Sequence, residues 1–161
     1  MKRFTPFKLY ICMCLVILII SGCIKRAGTN QPVTPFEQAM VWNDALAQTN
    51  DHIARGIIAV SPSLIAPEKA AMVLREQKNI ALIDEQITTT LKQGPDFAKL
   101  NSANLQVLLN QLKQSVRKLI DSGAIGIKNP ATQQTFDADL QAVGSLADNI
   151  LSGLRQAGVI Q

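Results

Sequence analysis

Apolar residues recur every three or four positions in four stretches of this chain, the spacing that lines one face of an α-helix. In the first stretch they are Ala39, Met40, Trp42, Leu46, Ile53 and Ile57. Thr34-Pro35-Phe36-Glu37 opens it as a capping box with proline at the first helical position. Gly56, after Arg55, is its expected stop. A second stretch starts at Pro67-Glu68 and carries Ala70, Val73, Ile80, Ile83, Ile87 and Leu91. The breaker pair Gly94-Pro95 ends it. Thr88-Thr89-Thr90 lowers helix propensity by a few tenths of a kcal/mol per residue, so its last turns are expected to be its least stable.

Phe97 and Leu100 fall in the connection that follows. Asn101 or Ser102 can cap the third stretch, whose stripe is Leu105, Leu108, Leu109, Leu112, Val116, Leu119 and Ile120, with Gly123 as its stop. Asn129-Pro130 caps the fourth, and Phe136, Leu140, Val143, Ala147, Ile150, Leu151 and Leu154 line it up to Gly158. No segment alternates as a half-buried strand does. The expected fold is all-α, an up-down-up-down four-helix bundle over residues 34–161. The punctuation of the first two stretches returns in the last two at offsets of 68, 67, 63 and 64 residues. A duplicated αα-hairpin would produce that pattern. Any four-helix bundle also needs regular stops, so both origins stay open.

The N-terminus follows a different pattern. Met1 to Lys8 is positively charged, Leu9 to Ile20 is an apolar run, and Ser21-Gly22 are small. That is the order of a signal peptide. The run is shorter than the roughly 17–25 residues of a comfortable membrane span. Ile20-Ser21-Gly22-Cys23 resembles the lipobox of bacterial lipoproteins: an aliphatic residue, two small residues and the obligatory cysteine. The resemblance covers only the first 23 residues. It implies cleavage before Cys23, recognition through Ile20, Ser21 and Gly22, and diacylglycerol on the Cys23 thiol. It also implies a lipid anchor in the cell envelope. Residue 24 is isoleucine rather than aspartate. By the same resemblance, that implies delivery to the periplasmic face of the outer membrane in a two-membrane organism, and otherwise to the outer face of the plasma membrane. The expected organisation is therefore a signal peptide (1–22), a lipidated cysteine with a flexible tether (23–33), and the helical domain (34–161).

Composition changes meaning once that segment is set aside. The chain carries 16 basic and 12 acidic residues, but Lys2, Arg3 and Lys8 precede the cleavage site. The remainder has a net charge of +1 and gives no footprint for nucleic acid. Cys12, Cys14 and Cys23 are its only cysteines, so the helical domain has no thiolate for a zinc site, a disulfide or a nucleophile. The single histidine, His52, sits among Asp44, Asp51, Asp84 and Glu85, a set read as a solvated polar face. No Glu-x-x-His pair, nucleophile elbow, phosphate loop or dinucleotide fingerprint occurs. Neither a catalytic residue, a metal site nor a cofactor is expected.

Two surface features remain. Ala138, Ala142, Ser145 and Ser152, with Gly144 and Gly153 nearby, form a row of small residues that would let another helix approach. In an alternating bundle, the first and third connections share the end far from the tether. They hold Ile57, Ile58, Val60, Leu64 and Ile65 in one, Ile125 and Ile127 in the other. Grouped in solvent they would form a partner-binding tip; folded inward they would close the core. The expected function is non-catalytic: a membrane-anchored envelope lipoprotein that binds, spaces or inhibits a protein partner. The alternative is a carrier of a lipid or other apolar ligand in an enclosed cavity between the helices.

Overall fold

Proline at the first helical position starts three of the four long helices. It supplies a fixed φ and lacks an N–H that would go unpaired there. The computed structural model describes residues 32–60, 65–121 and 127–161, without the Val60 side chain. Helix α1 spans Pro35–Val60, α2 Pro67–Lys92, α3 Pro95–Leu100, α4 Ser102–Asp121 and α5 Pro130–Gln156. The described residues are all-helical and contain no strand. Pro35–Gln161 forms one compact unit.

The helix ends follow local chemistry. Asn129 Oδ1 accepts from the Ala131 and Thr132 amides at 3.0 and 3.2 Å, satisfying two donors at the start of α5. Gly158, at φ 67°, turns the chain after α5, and the Val159 amide donates back to the Leu154 carbonyl at 2.9 Å. That closure tucks Val159 and Ile160 into the core. Gly94, at φ 97°, makes the turn from α2 into α3, a conformation open to glycine at little cost. The α3 segment is a one-and-a-half-turn helix where the sequence predicts a plain connection. Six residues are too few to show a helical period, and only Ala98 among them is buried.

Gly56 does not stop α1. It lies within the helix, and four residues follow it to Val60. The buried side chains Ala39, Leu46, Ile53 and Ile57 lie on one stripe through it. Burying Ile57 contributes about 1.5–3 kcal/mol, which outweighs the roughly 1 kcal/mol that a helical glycine costs.

The long helices pack in a ring. Helix α1 lies against α5 and α2, and α4 lies against α2 and α5. The most extensive of these contacts joins α1 to α5. The two helices approach closely at Gly153, where an added Cβ would sit 2.9 Å from Trp42 Cζ3 and 3.0 Å from the Pro35 carbonyl oxygen. The intramolecular close approach is thus made by Gly153, which neighbours the row of small residues, while Ala138, Ala142, Ser145 and Ser152 of the row itself are exposed.

Glycine substitutions should separate these environments. Gly153→Ala is expected to destabilise by about 1–2 kcal/mol, because overpacking against a backbone oxygen exceeds the gain in propensity. Gly56→Ala meets no atom within 4 Å. It is expected to stabilise by up to about 1 kcal/mol. Denaturant unfolding of both variants checks the opposite signs; a destabilised Gly56→Ala would mean that α1 does end there.

Candidate functional site

The face that α1 turns toward α2 is not apolar throughout. Buried positions on α1 run Ala39, Asn43, Leu46, Asn50, Ile53 and Ile57, alternating steps of four and three. On α2 the same stripe runs Ala70, Val73, Gln77, Ile80, Asp84, Ile87 and Leu91, with Glu76 and Thr90 buried beside it. Two polar residues one heptad apart thus occupy the core register of each helix. The Asn43 amide donates to Thr88 Oγ1, and Asn50 Nδ2 donates to the Gln77 carbonyl at 3.1 Å. Asn43 Oδ1, Asn50 Oδ1, both amide atoms of the Gln77 side chain and Asp84 Oδ1 are buried without a hydrogen-bond partner among the described residues. Each such atom costs about 1–3 kcal/mol. The corresponding stripes of α4 and α5 hold only apolar residues.

Above this seam lies an open groove of about 260 Å³ between α1 and α2. Ala47, Ala54 and Ala81 keep its walls short, and Asn50, Gln77 and Asp84 form part of its lining. Asp51 and Lys78 also line it. A second open groove, of about 460 Å³, runs between α2 and α4 past Glu76, Ile83, Gln111 and Lys118. Both have mixed linings, unlike the enclosed apolar cavity that a carrier would need.

Burial dominates the electrostatics of the seam. It pushes the Asp84 carboxyl up to about 7, and the neighbouring Asp44 charge adds to the shift. Glu76, on the side of α2 that faces α4, behaves oppositely. Lys118 Nζ donates to its Oε1 at 2.7 Å and holds the carboxyl below its ordinary value despite burial. On α5, burial raises Asp139, and the charge of His52 partly offsets it.

Of the carboxylates and histidine singled out in the sequence, Asp44 and Asp84 come together and Asp51 shares the groove with Asp84, whereas His52 and Glu85 do not join them. Asp51 pairs with Arg55 at 2.8 Å along α1. His52 acts on Asp139 of α5, and Glu85 is exposed. Asp84 departs from the expected solvated face, because its place in the heptad carries it inside. No cluster of three His, Cys, Asp or Glu able to hold a metal ion occurs among the described residues.

At the end where α1 finishes and α2 begins, three of the isoleucines expected at a tip are core residues. Ile57, Ile65 and Ile127 are all buried. The cause is local: α1 continues past Gly56, so Ile57 keeps the stripe, while Ile65 and Ile127 enter the core just before α2 and α5. Ile58 is 62% exposed. Leu64, Ile125 and the Val60 side chain lie outside the described residues, as do Ile20, Ser21, Gly22 and Cys23. Asn43, Asn50 and Gln77 were not legible as site residues from apolar periodicity. Their signal is phase: each sits three or four positions from the apolar residues of its own stripe.

The Asp84 shift has a definite sign. A carboxyl raised in the folded state binds a proton there that the unfolded chain has already lost. Its contribution is most favourable below the unfolded value near 4 and is lost as pH rises toward about 7. Wild-type stability is expected to fall across that window by at most about 1.4 kcal/mol per pH unit from this group. Asp84→Asn should flatten the fall and be the more stable protein at pH about 8. Thermal unfolding at stepped pH reads both; parallel profiles for the two proteins would place Asp84 in a solvated setting.

Comparison of the chain with protein-family models, with curated proteins and with solved structures finds no match, so the functional reading rests on the residues themselves.

Proposed function

We propose that this protein is a bacterial envelope lipoprotein whose helical domain acts by contact with another protein, without catalysis. The observation that carries the reading is Ile20-Ser21-Gly22-Cys23, set after a basic segment and a short apolar run. In this reading residues 1–22 are removed, Cys23 carries the acyl chains, and residues 24–33 tether the domain. One acyl chain holds a protein only marginally, whereas two or three, at about 0.8 kcal/mol per buried CH₂, hold it stably. The described helices are not involved in spanning: none is long and apolar enough to cross a membrane.

The ring of contacts supports an up-down-up-down four-helix bundle as the presenting scaffold, with α3 inserted in the second connection. The start of α1 and the close of α5 meet at Gly153, so the tether joins the end where the chain also finishes. The opposite end is about 39 Å away, the length of a 26-residue helix. Ile58 is the exposed apolar residue described there, and it marks the surface offered to a partner protein.

Two measurements test the two halves of the reading. Labelled palmitate is expected to enter the wild-type protein and not Cys23→Ala; label that survives the substitution ends acylation at that residue. A photo-crosslinking residue introduced beside Ile58 is expected to capture a partner in intact envelopes, and Ile58→Asp to abolish that capture while changing stability by less than about 0.5 kcal/mol. Equal capture by folded Ile58→Asp removes that surface from the interaction.

A further inference from the structure

The end of the domain where the tether enters carries a feature the proposed partner contact does not use. Helix α3 has almost no interior: Ala98 is its only buried residue. Leu100 is 86% exposed and Phe97 37% exposed. They stand three residues apart, on one side of the helix. Lys99, on the same short helix, and Lys92, the last residue of α2, are exposed, with Asp96 as the opposing charge on α3.

Three contacts fix where this lies. Asn43, near the start of α1, bonds Thr88, near the end of α2. Gly153 of α5 sits against Pro35. Gln106 of α4 donates to the Gln161 carbonyl at 3.1 Å. The α3 segment, Pro35 and the C-terminus therefore share one end of the helices. Cys23 precedes Pro35 by twelve residues, a reach of at most about 43 Å.

We propose that α3 is a second membrane contact: Phe97 and Leu100 enter the interface of the bilayer that holds Cys23, and Lys92 and Lys99 face its anionic headgroups. The inference rests on the lipid-anchor reading. The tether alone is long enough to let the domain lie in any orientation. Apolar side chains backed by lysines at the tethered end fix it upright, because an aliphatic and an aromatic residue gain from leaving water and ammonium groups gain from anionic lipid. That arrangement holds Ile58 away from the membrane. A protein partner on Leu100 would not need the lysines or this end of the domain.

The mature protein offers a clean way to look. Cleavage removes Cys12 and Cys14, and acylation consumes the Cys23 thiol, so Leu100→Cys introduces one free thiol. The acylated protein, extracted from cells and reconstituted in vesicles of phosphatidylethanolamine with phosphatidylglycerol, is labelled there with an environment-sensitive fluorophore. Ile58→Cys serves as the distal probe. The expected result is a blue-shifted emission at position 100, quenched by lipids brominated in the acyl chain, and an aqueous, unquenched emission at position 58. Protein that floats with the vesicles while position 100 stays aqueous overturns the second contact and leaves the anchor standing. Equal quenching at both positions overturns the upright orientation. Failure to float with the vesicles overturns the anchor and, with it, this inference.

Discussion

Everything in the domain is arranged around the face that α1 must divide between two unlike neighbours. Toward α5 it is dry and close, with the Trp42 ring and Ala39 pressed on Gly153 so that the two backbones nearly touch. Toward α2 it carries Asn43 and Asn50 in positions that geometry keeps from water. Dispersion and apolar burial fix the first contact. The second keeps polar atoms inside at a cost, and only part of their hydrogen-bonding capacity is met. The α1–α5 contact, the most extensive of the ring, therefore supplies most of the favourable energy that holds α1, and the α1–α2 seam offsets part of its own packing with buried polar atoms.

That asymmetry explains what the sequence shows and what it conceals. The stripes of α4 and α5 are apolar at every buried position, so simple periodicity recovers both helices. For α1 and α2 the same method finds the stripe but passes over Asn43, Asn50, Gln77 and Asp84. A polar residue at a core position is indistinguishable by type from one on the surface. Phase alone identifies it. Gly56 misleads for a related reason: glycine ends a helix through a positive φ, a tertiary property, and here the next buried residue rewards continuation. Helix α3 is too short for a period to register. Of the expected tip, Ile57 and Ile58 are neighbours of identical chemistry whose fates differ only because successive helical positions turn by about 100°.

Polar residues in a core register also restrict alternatives. Asn43 meets Thr88 and Asn50 meets the Gln77 backbone, and these bonds exist in one alignment of α1 on α2. Slipping α2 by one turn would set Gln77 and Asp84 against isoleucine and leucine with no compensating partner. The penalty for misalignment thus exceeds the modest worth of the bonds themselves, as a single buried asparagine fixes register in coiled coils. The ion pair of Glu76 with Lys118 adds an orientation between α2 and α4, although Lys118 is well exposed and the pair is worth little on its own.

The two carboxyls of α2 respond to acid in opposite senses, and this follows from which neighbour each one meets. Glu76 has a lysine; its pair contributes fully above the ordinary glutamate value and is lost as pH falls below that value toward the lowered one of the folded state. Asp84 has burial and another aspartate; it favours the folded chain only when protonated. They are eight residues apart, about 80° around the helix, and they meet different neighbours: Glu76 bonds Lys118 of α4, and Asp84 feels Asp44 of α1. Between the ordinary carboxylate range and neutrality the α2–α4 contact keeps its charge pair, while the α1–α2 seam accumulates an unpaired charge. A change of pH in that interval therefore loads the side of α2 that faces α1 and leaves its contact with α4 intact, while the raised Asp139 carboxyl gives α5 a response of the same sign as that of Asp84.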